Sequence, residues 1–143
     1  MFDRPVKDMM RREKVLKAPP ETPVGKAAKL MVSKSVGAVM VIDDDCLVGI
    51  CTERDIVFRV VAKGLDAKAT RLADVMTMCP QTIAPDKPFG YALLLMHEKG
   101  FRHLPVVQDG KVVGMVSSRS ALDPSLEEFV SEEQRRKHFE EKG

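Results

Sequence analysis

Apolar side chains recur at Val24, Ala27, Ala28 and Met31, and again at Phe89, Ala92, Leu93 and Met96. Both sets have the i, i+3, i+4, i+7 spacing of one buried helix face. Thr22 is a predicted N-cap, with Pro23 at the first helical position. Each helix is followed by two short apolar runs. In the first half these are Val39 to Ile42 and Leu47 to Cys51, joined by Asp43-Asp44-Asp45. In the second half they are Leu104 to Val107 and Val112 to Val116, joined across Gln108-Asp109-Gly110-Lys111. Asp-Gly between apolar runs is a hairpin signal. A further helix is predicted after Thr52, with Ile56, Val57, Val60 and Val61 on one face. Its counterpart after Ser117 is cut short by Asp123-Pro124.

The chain therefore repeats itself. Leu47-Val48-Gly49-Ile50 pairs with Val112-Val113-Gly114-Met115, and Pro23-Val24-Gly25-Lys26-Ala27 pairs with Pro88-Phe89-Gly90-Tyr91-Ala92. Leu30-Met31 matches Leu95-Met96, and Arg54 matches Arg119. These matches share one offset. Val6-Lys7-Asp8-Met9-Met10 matches Leu72-Ala73-Asp74-Val75-Met76 with one residue of slippage. Each repeat reads as strand, helix, strand, strand, helix, an α+β pattern. A unit of roughly 55 residues buries too little core to stand alone, so the two should pack together. The interface between them is the natural place for a ligand cleft. The segment from Asp123 to Gly143 departs from the repeat. Ser131-Glu132-Glu133-Gln134 has a capping-box pattern, so a charged helical tail is expected. Leu126, Phe129 and Val130 could dock it on the body or on a second subunit.

Composition narrows the function. Hydrophobic residues are 44% of the 143, but aromatics are only 5% and Trp is absent. The core must then be aliphatic and Met-rich, and stacking platforms for single-stranded nucleic acid are scarce. The net charge of +2 is interspersed, with a local basic run at Arg11, Arg12, Lys14 and Lys17. That run reads as a solvated loop, so nucleic acid is not an expected partner. Cys46, Cys51 and Cys79 form no metal-binding pattern and read as reduced thiols. No apolar run approaches the ~18 residues that span a bilayer, and no signal segment is visible at the N-terminus. A cytoplasmic location without membrane insertion is expected.

The segment Gly49-Ile50-Cys51-Thr52-Glu53-Arg54-Asp55 carries the candidate chemistry. A strand turns at Thr52 into a helix, with Asp55 three positions on. As a local motif this is a capping box with Asp in place of Glu. The same geometry suits a ligand. A helix start offers unpaired N–H groups to an anion, Thr52 offers a hydroxyl, and Arg54 could pair with phosphate. Asp55 is an acceptor pair suited to the 2′ and 3′ hydroxyls of a ribose. Against an enzyme, no Ser/His/Asp set, metal cluster or paired carboxylates emerge. His97, His103 and His138 have no evident catalytic neighbours in sequence.

Repeat length, element order and residues 49–55 resemble the tandem CBS (cystathionine-β-synthase-type) domain pair. That family's pattern is glycine, apolar, any, Thr or Ser, two of any, Asp. The first repeat matches it fully; the second, Gly114 to Ser120, has Ser120 where the acid should be. Phe101-Arg102-His103-Leu104-Pro105-Val106-Val107 is similar to the family's second strand. The likeness covers residues 4 to 122. It implies two pseudo-symmetric repeats at 4–64 and 70–122, with the helical tail at 123–143. It also implies two clefts, each joining the Thr–Asp motif of one repeat to the first strand, and the start of the second strand, of the other.

In the first cleft Asp55 should hold the ribose, with Thr52 and Arg54 near phosphate. Ile50 and Gln81-Thr82-Ile83 should clamp the base. Phe101, His103 and Pro105 should complete the wall, with Arg102 and His103 approaching the phosphates. The second cleft, from Ser117, Arg119 and Ser120 facing Val15, Leu16, Gly37 and Ala38, should be empty or weak. The resemblance thus implies a non-catalytic regulatory sensor for AMP, ADP or ATP, acting in trans on an unidentified partner. It also implies a homodimer formed through helix faces, for which Val57–Val61 and Ala92–Met96 are candidates. The alternatives are a sensor of S-adenosylmethionine or NAD, or an interaction module without a ligand. No catalytic or metal-binding residues, and no enzymatic cofactor, are expected.

Overall fold

The computed structural model describes residues 2–118, 132–133 and 135–136. Its first half runs α1 (Val6–Met9), β1 (Lys17–Ala18), α2 (Val24–Lys34), β2 (Ala38–Asp43), β3 (Cys46–Thr52) and α3 (Glu53–Ile56). A π-helical turn, Val57–Val61, continues α3. The second half runs α4 (Leu72–Val75), β4 (Thr77–Met78), α5 (Phe89–Lys99), β5 (His103–Gln108) and β6 (Lys111–Ser117). The helix expected after Ser117 and the docking residues Leu126, Phe129 and Val130 lie outside the described residues. In the tail, Glu132-Glu133 and Arg135-Arg136 are helical, and Arg136 pairs with Glu133 at 3.5 Å.

Both hairpins turn on two residues with positive φ. Asp44 and Asp45 have φ of 52° and 63°, and Asp109 and Gly110 have 53° and 78°. This is the mirror-image turn that matches strand twist, and Asp and Gly tolerate it best. Each hairpin has a register shift at the same place, after Val41 and after Val106.

The strands form a sheet of order β1-β2-β3-β4 and a hairpin β5-β6. β1 is parallel to β2, whereas β2–β3 and β3–β4 are antiparallel. Single bridges complete the second sheet in the same manner: Ile83 lies parallel to Val106, and Arg11 antiparallel to Met115. These are the repeat equivalents of Ala18–Val41 and Thr77–Ile50. β4 therefore leads the second repeat yet pairs with the first, and Arg11 does the reverse.

The short leading helices follow the same exchange. Val6 and Met9 of α1 are buried with Ile83, Phe89, Leu104 and Val116 of the second half. Leu72 and Val75 of α4 are buried with Leu16, Val24, Val41 and Val60 of the first. Burying a Val or Leu fully is worth about 1.5–3 kcal/mol, so each half lends the other several kcal/mol. A third cluster forms the seam: Ala38, Met40 and Ile50 from the first half, Val112 and Met115 from the second.

One capping assignment is corrected. Pro23, not Thr22, is the N-cap of α2, as Pro88 is for α5. Neither cap has a side-chain hydrogen bond. The free amides are taken up by distant backbone instead. Val24 N donates to Thr70 O (2.8 Å) and Gly25 N to Ala67 O (2.9 Å). Phe89 N donates to Arg4 O (2.7 Å) and Gly90 N to Phe2 O (2.9 Å). Tertiary carbonyls satisfy what a Thr22 hydroxyl would have capped.

Candidate functional site

The turn from β3 into α3 places Thr52 and Asp55 as a complete capping box. Thr52 N donates to Asp55 Oδ2 (2.9 Å), as does Thr52 Oγ1 (3.1 Å), and Asp55 N donates to Thr52 Oγ1 (3.2 Å). Two donors therefore hold Oδ2. Oδ1 faces Arg59 Nε at 3.8 Å, outside hydrogen-bond range. Asp55 is 9% exposed, one of two buried polar residues among those described. Arg59 Nη1 goes on to donate to Val75 O (3.1 Å) and Met76 O (3.2 Å), at the end of α4. Below the box, burial pushes the Cys51 thiol up to about 12, with Asp55 adding to the rise and Arg59 opposing it.

Ile50 sits in the seam and pairs with Thr77 of β4. Gln81 and Thr82 are exposed on the segment that follows. Ile83 and Pro105 are core residues; Ile83 N donates to Pro105 O at 3.1 Å. Their backbone pairing joins residues 81–83 to β5, while the Ile83 side chain packs in the core with Phe89 and Leu104. Phe101 is half-buried against the second core. The Arg54 guanidinium lies 4.5 Å over the Phe58 ring.

Gly37 and His103 meet across the repeats. A Cβ on Gly37 would lie 3.0 Å from Glu53 Oε1 and 3.1 Å from His103 Nε2. Burial lowers the His103 pKa; Glu53 opposes this and Arg102, itself exposed, adds to it. The start of α3 donates Glu53 N to Gly37 O at 3.0 Å, and Ser118 N donates likewise to Arg102 O at 2.9 Å. The starts of β2 and β5 thus converge with the two motifs. Sequence reasoning did not single out Glu53 or Arg59. The signal for Arg59 was its i+4 spacing from Asp55.

In the second cleft, Leu16 and Ala38 are buried and Val15 packs on the seam. Ser117 closes β6 opposite His103. Arg119 and Ser120 lie outside the described residues. The described residues contain no cluster suited to a metal and no helix long and apolar enough to cross a membrane.

Two grooves open on the surface, the first of them reaching Gly37 and Glu53. One of 460 Å³ runs between α2 and α3, lined by Met31, Val32, Gly37, Glu53, Ile56 and Val57. The other, of 540 Å³, is bordered by Lys7, Arg12, Asp86 and Asp109. The expected docking faces are redrawn in part. Val57 and Val61 are exposed, as are Tyr91 and Leu94, but Ala92 and Met96 face the core. The π turn widens the helical register, so Val60 is buried while Val57 and Val61 point outward.

The CBS domain family profile matches residues 6–62 and 72–126. The meiotically up-regulated gene 70 protein of Schizosaccharomyces pombe is 40% identical over 122 residues. That match takes in 78% of this chain but only 17% of the fission-yeast protein. A conserved protein of Pyrococcus horikoshii has a similar structure, with TM-score 0.80 and 32% identity over 87% of this chain and 94% of its own. The CBS domain pair of the protein MJ0100, solved with 5′-methylthioadenosine and S-adenosyl-L-methionine, aligns with TM-score 0.77 and 25% identity. That alignment covers 87% of this chain and 97% of the other. Two matched repeats, exchanged leading helices and one complete Thr–Asp motif together make this chain a member of the CBS domain family, a tandem CBS pair.

Proposed function

We propose that this CBS pair is a non-catalytic regulatory sensor whose ligand is an adenine nucleotide seated beside Asp55, and whose output is read by a partner in trans. The observation that carries the reading is the state of the Asp55 carboxylate. It is almost buried, yet only one of its oxygens is used by the cap. Oδ1 is an acceptor at the joint of the two repeats, suited to a vicinal diol. The half-buried His103 and the exposed Arg102 supply a polar, partly cationic region for phosphate. AMP, ADP and ATP share the ribose and differ in the number of phosphates, and hence in length and charge.

A second reading has its own support. Glu53 lies near His103, and the Arg54 guanidinium is engaged 4.5 Å over the Phe58 ring. A carboxylate there suits a ligand with a positive centre, and the MJ0100 pair holds S-adenosyl-L-methionine and 5′-methylthioadenosine. Calorimetric titration with AMP, ADP, ATP and S-adenosylmethionine separates the two. Binding of an adenine nucleotide, weakened at least about tenfold (~1.4 kcal/mol) in Asp55→Ala, supports the first. Binding of S-adenosylmethionine alone supports the second. Binding of none would leave Thr52–Asp55 as a helix cap and overturn both.

A further inference from the structure

Arg59 stands between the candidate site and the other repeat. Its Nε faces Asp55 Oδ1 at 3.8 Å, and its Nη1 is shared between Val75 O and Met76 O. Those carbonyls end α4, the leading helix of the second repeat, whose Leu72 and Val75 fill the first core. The next two residues, Thr77 and Met78, pair with Ile50 and Gly49 on the same strand that ends in Thr52. One guanidinium therefore joins Asp55 to the end of α4 and the start of β4.

The repeat shows that this link is one-sided. At the positions equivalent to Asp55 and Arg59 the second repeat has Ser120 and Pro124. Acid and arginine are absent together, as expected if they act as a pair. A proline cannot replace a charged donor to carbonyls. An Asp and Arg pair at these two positions is a feature of the first repeat's sequence and not of the second's.

We propose that Arg59 is a positioning residue that couples occupancy at Asp55 to α4 and β4, so that a ligand diol on Asp55 alters the hold on Leu72–Cys79. The inference rests on the ribose reading of Asp55. A diol donating to Oδ1 competes with the guanidinium for that oxygen. The guanidinium then redistributes toward the two carbonyls, which damps opening of the segment.

The test is amide hydrogen exchange over residues 72–79, with and without AMP, in the full chain. AMP should slow exchange there by at least about threefold, as local opening is suppressed. AMP lacking the 2′ and 3′ hydroxyls should protect residues 50–55 without slowing 72–79. In Arg59→Gln, AMP should still protect 50–55 while the response at 72–79 is lost, and Arg59→Lys should restore part of it. A purely structural Arg59 would raise basal exchange without making the response depend on the ribose hydroxyls. An equal response at 72–79 in Arg59→Gln, or with the dideoxy probe, overturns the coupling alone. Where AMP protects no segment in the wild type the exchange is run with ADP and ATP, and protection by none of the three overturns the nucleotide reading and the coupling with it.

Discussion

Gly49 and Gly114 occupy equivalent strand positions, and neither needs a positive φ; what they provide is room. At each, the side chain of a methionine from a leading segment lies over the missing Cβ: Met76 over Gly49, Met10 over Gly114. The two sites differ in one respect. The three atoms nearest a Cβ at Gly114 all belong to the Met10 side chain, Sδ at 2.6 Å, Cγ at 2.9 Å and Cβ at 3.3 Å. A Cβ at Gly49 would strike Met76 and would also stand 3.1 Å from Thr77 O, which cannot retreat without disturbing the β3–β4 pairing. Overpacking costs about 1–3 kcal/mol. Replacing Gly by Ala returns about 0.4–1 kcal/mol through the unfolded chain. At Gly49, where a backbone carbonyl is struck, the upper part of that cost (~2–3 kcal/mol) applies and the net for Gly49→Ala is ~1–2.6 kcal/mol destabilising; for Gly114→Ala, where a rotamer change moves Sδ and Cγ away, it is ~0–1 kcal/mol. Urea unfolding of both variants gives the comparison, and a thermal scan should show roughly 3–6 °C per kcal/mol. Gly49→Ala combined with Met76→Ala should be more stable than the sum of the single effects by about 1 kcal/mol. Additivity within ~0.5 kcal/mol, or Gly49→Ala as stable as the wild type, would refute this account of the glycine.

Other outcomes follow from the site. Thr52→Ala removes an acceptor from Asp55 N and a donor to Oδ2, and should cost ~1 kcal/mol in denaturant unfolding. The lowered pKa of His103 means the unfolded chain binds the proton first. Its contribution to stability is therefore present above the unfolded value of 6.5 and lost as pH falls through the folded pKa. Unfolding free energies at pH 7.5 and 5.5 should converge more in His103→Gln than in the wild type, and an unchanged pH difference would count against the buried imidazole. Brief alkylation of the native protein at pH 8.5, read by mass spectrometry, should modify Cys46 and Cys79 but spare Cys51, which is buried and pushed up to about 12. Labelling of Cys51 as fast as the other two would contradict its placement.

The repeat, its α+β pattern and the hairpins were legible because they rest on local periodicity and turn chemistry. Val24–Lys34 and Phe89–Lys99 emerge from spacing alone, and Asp109-Gly110 announces its turn. The exchange of leading helices was not legible. The match of residues 6–10 with 72–76 shows that they are equivalent, but a four-residue helix has no periodicity to reveal which core receives it. Thr22 misled for a related reason. Its residue type fits a cap, but carbonyls from residues 67 and 70 reach the helix start first. At the site, Thr52 and Asp55 were readable from spacing. The opposition of Glu53 and His103 was not, since 50 positions of chain separate residues that only the packing of the halves brings together.

Each repeat is finished by a helix from the other. A single unit of this design could close its core only by trading α1-like segments with a second copy, the reciprocal exchange typical of a domain-swapped dimer. Joining two copies in one chain makes that trade intramolecular, so its strength no longer depends on protein concentration. It also releases the copies from identity. One can keep an acid and an arginine at its motif while the other carries Ser120 and Pro124, and a symmetric scaffold acquires two unequal ends.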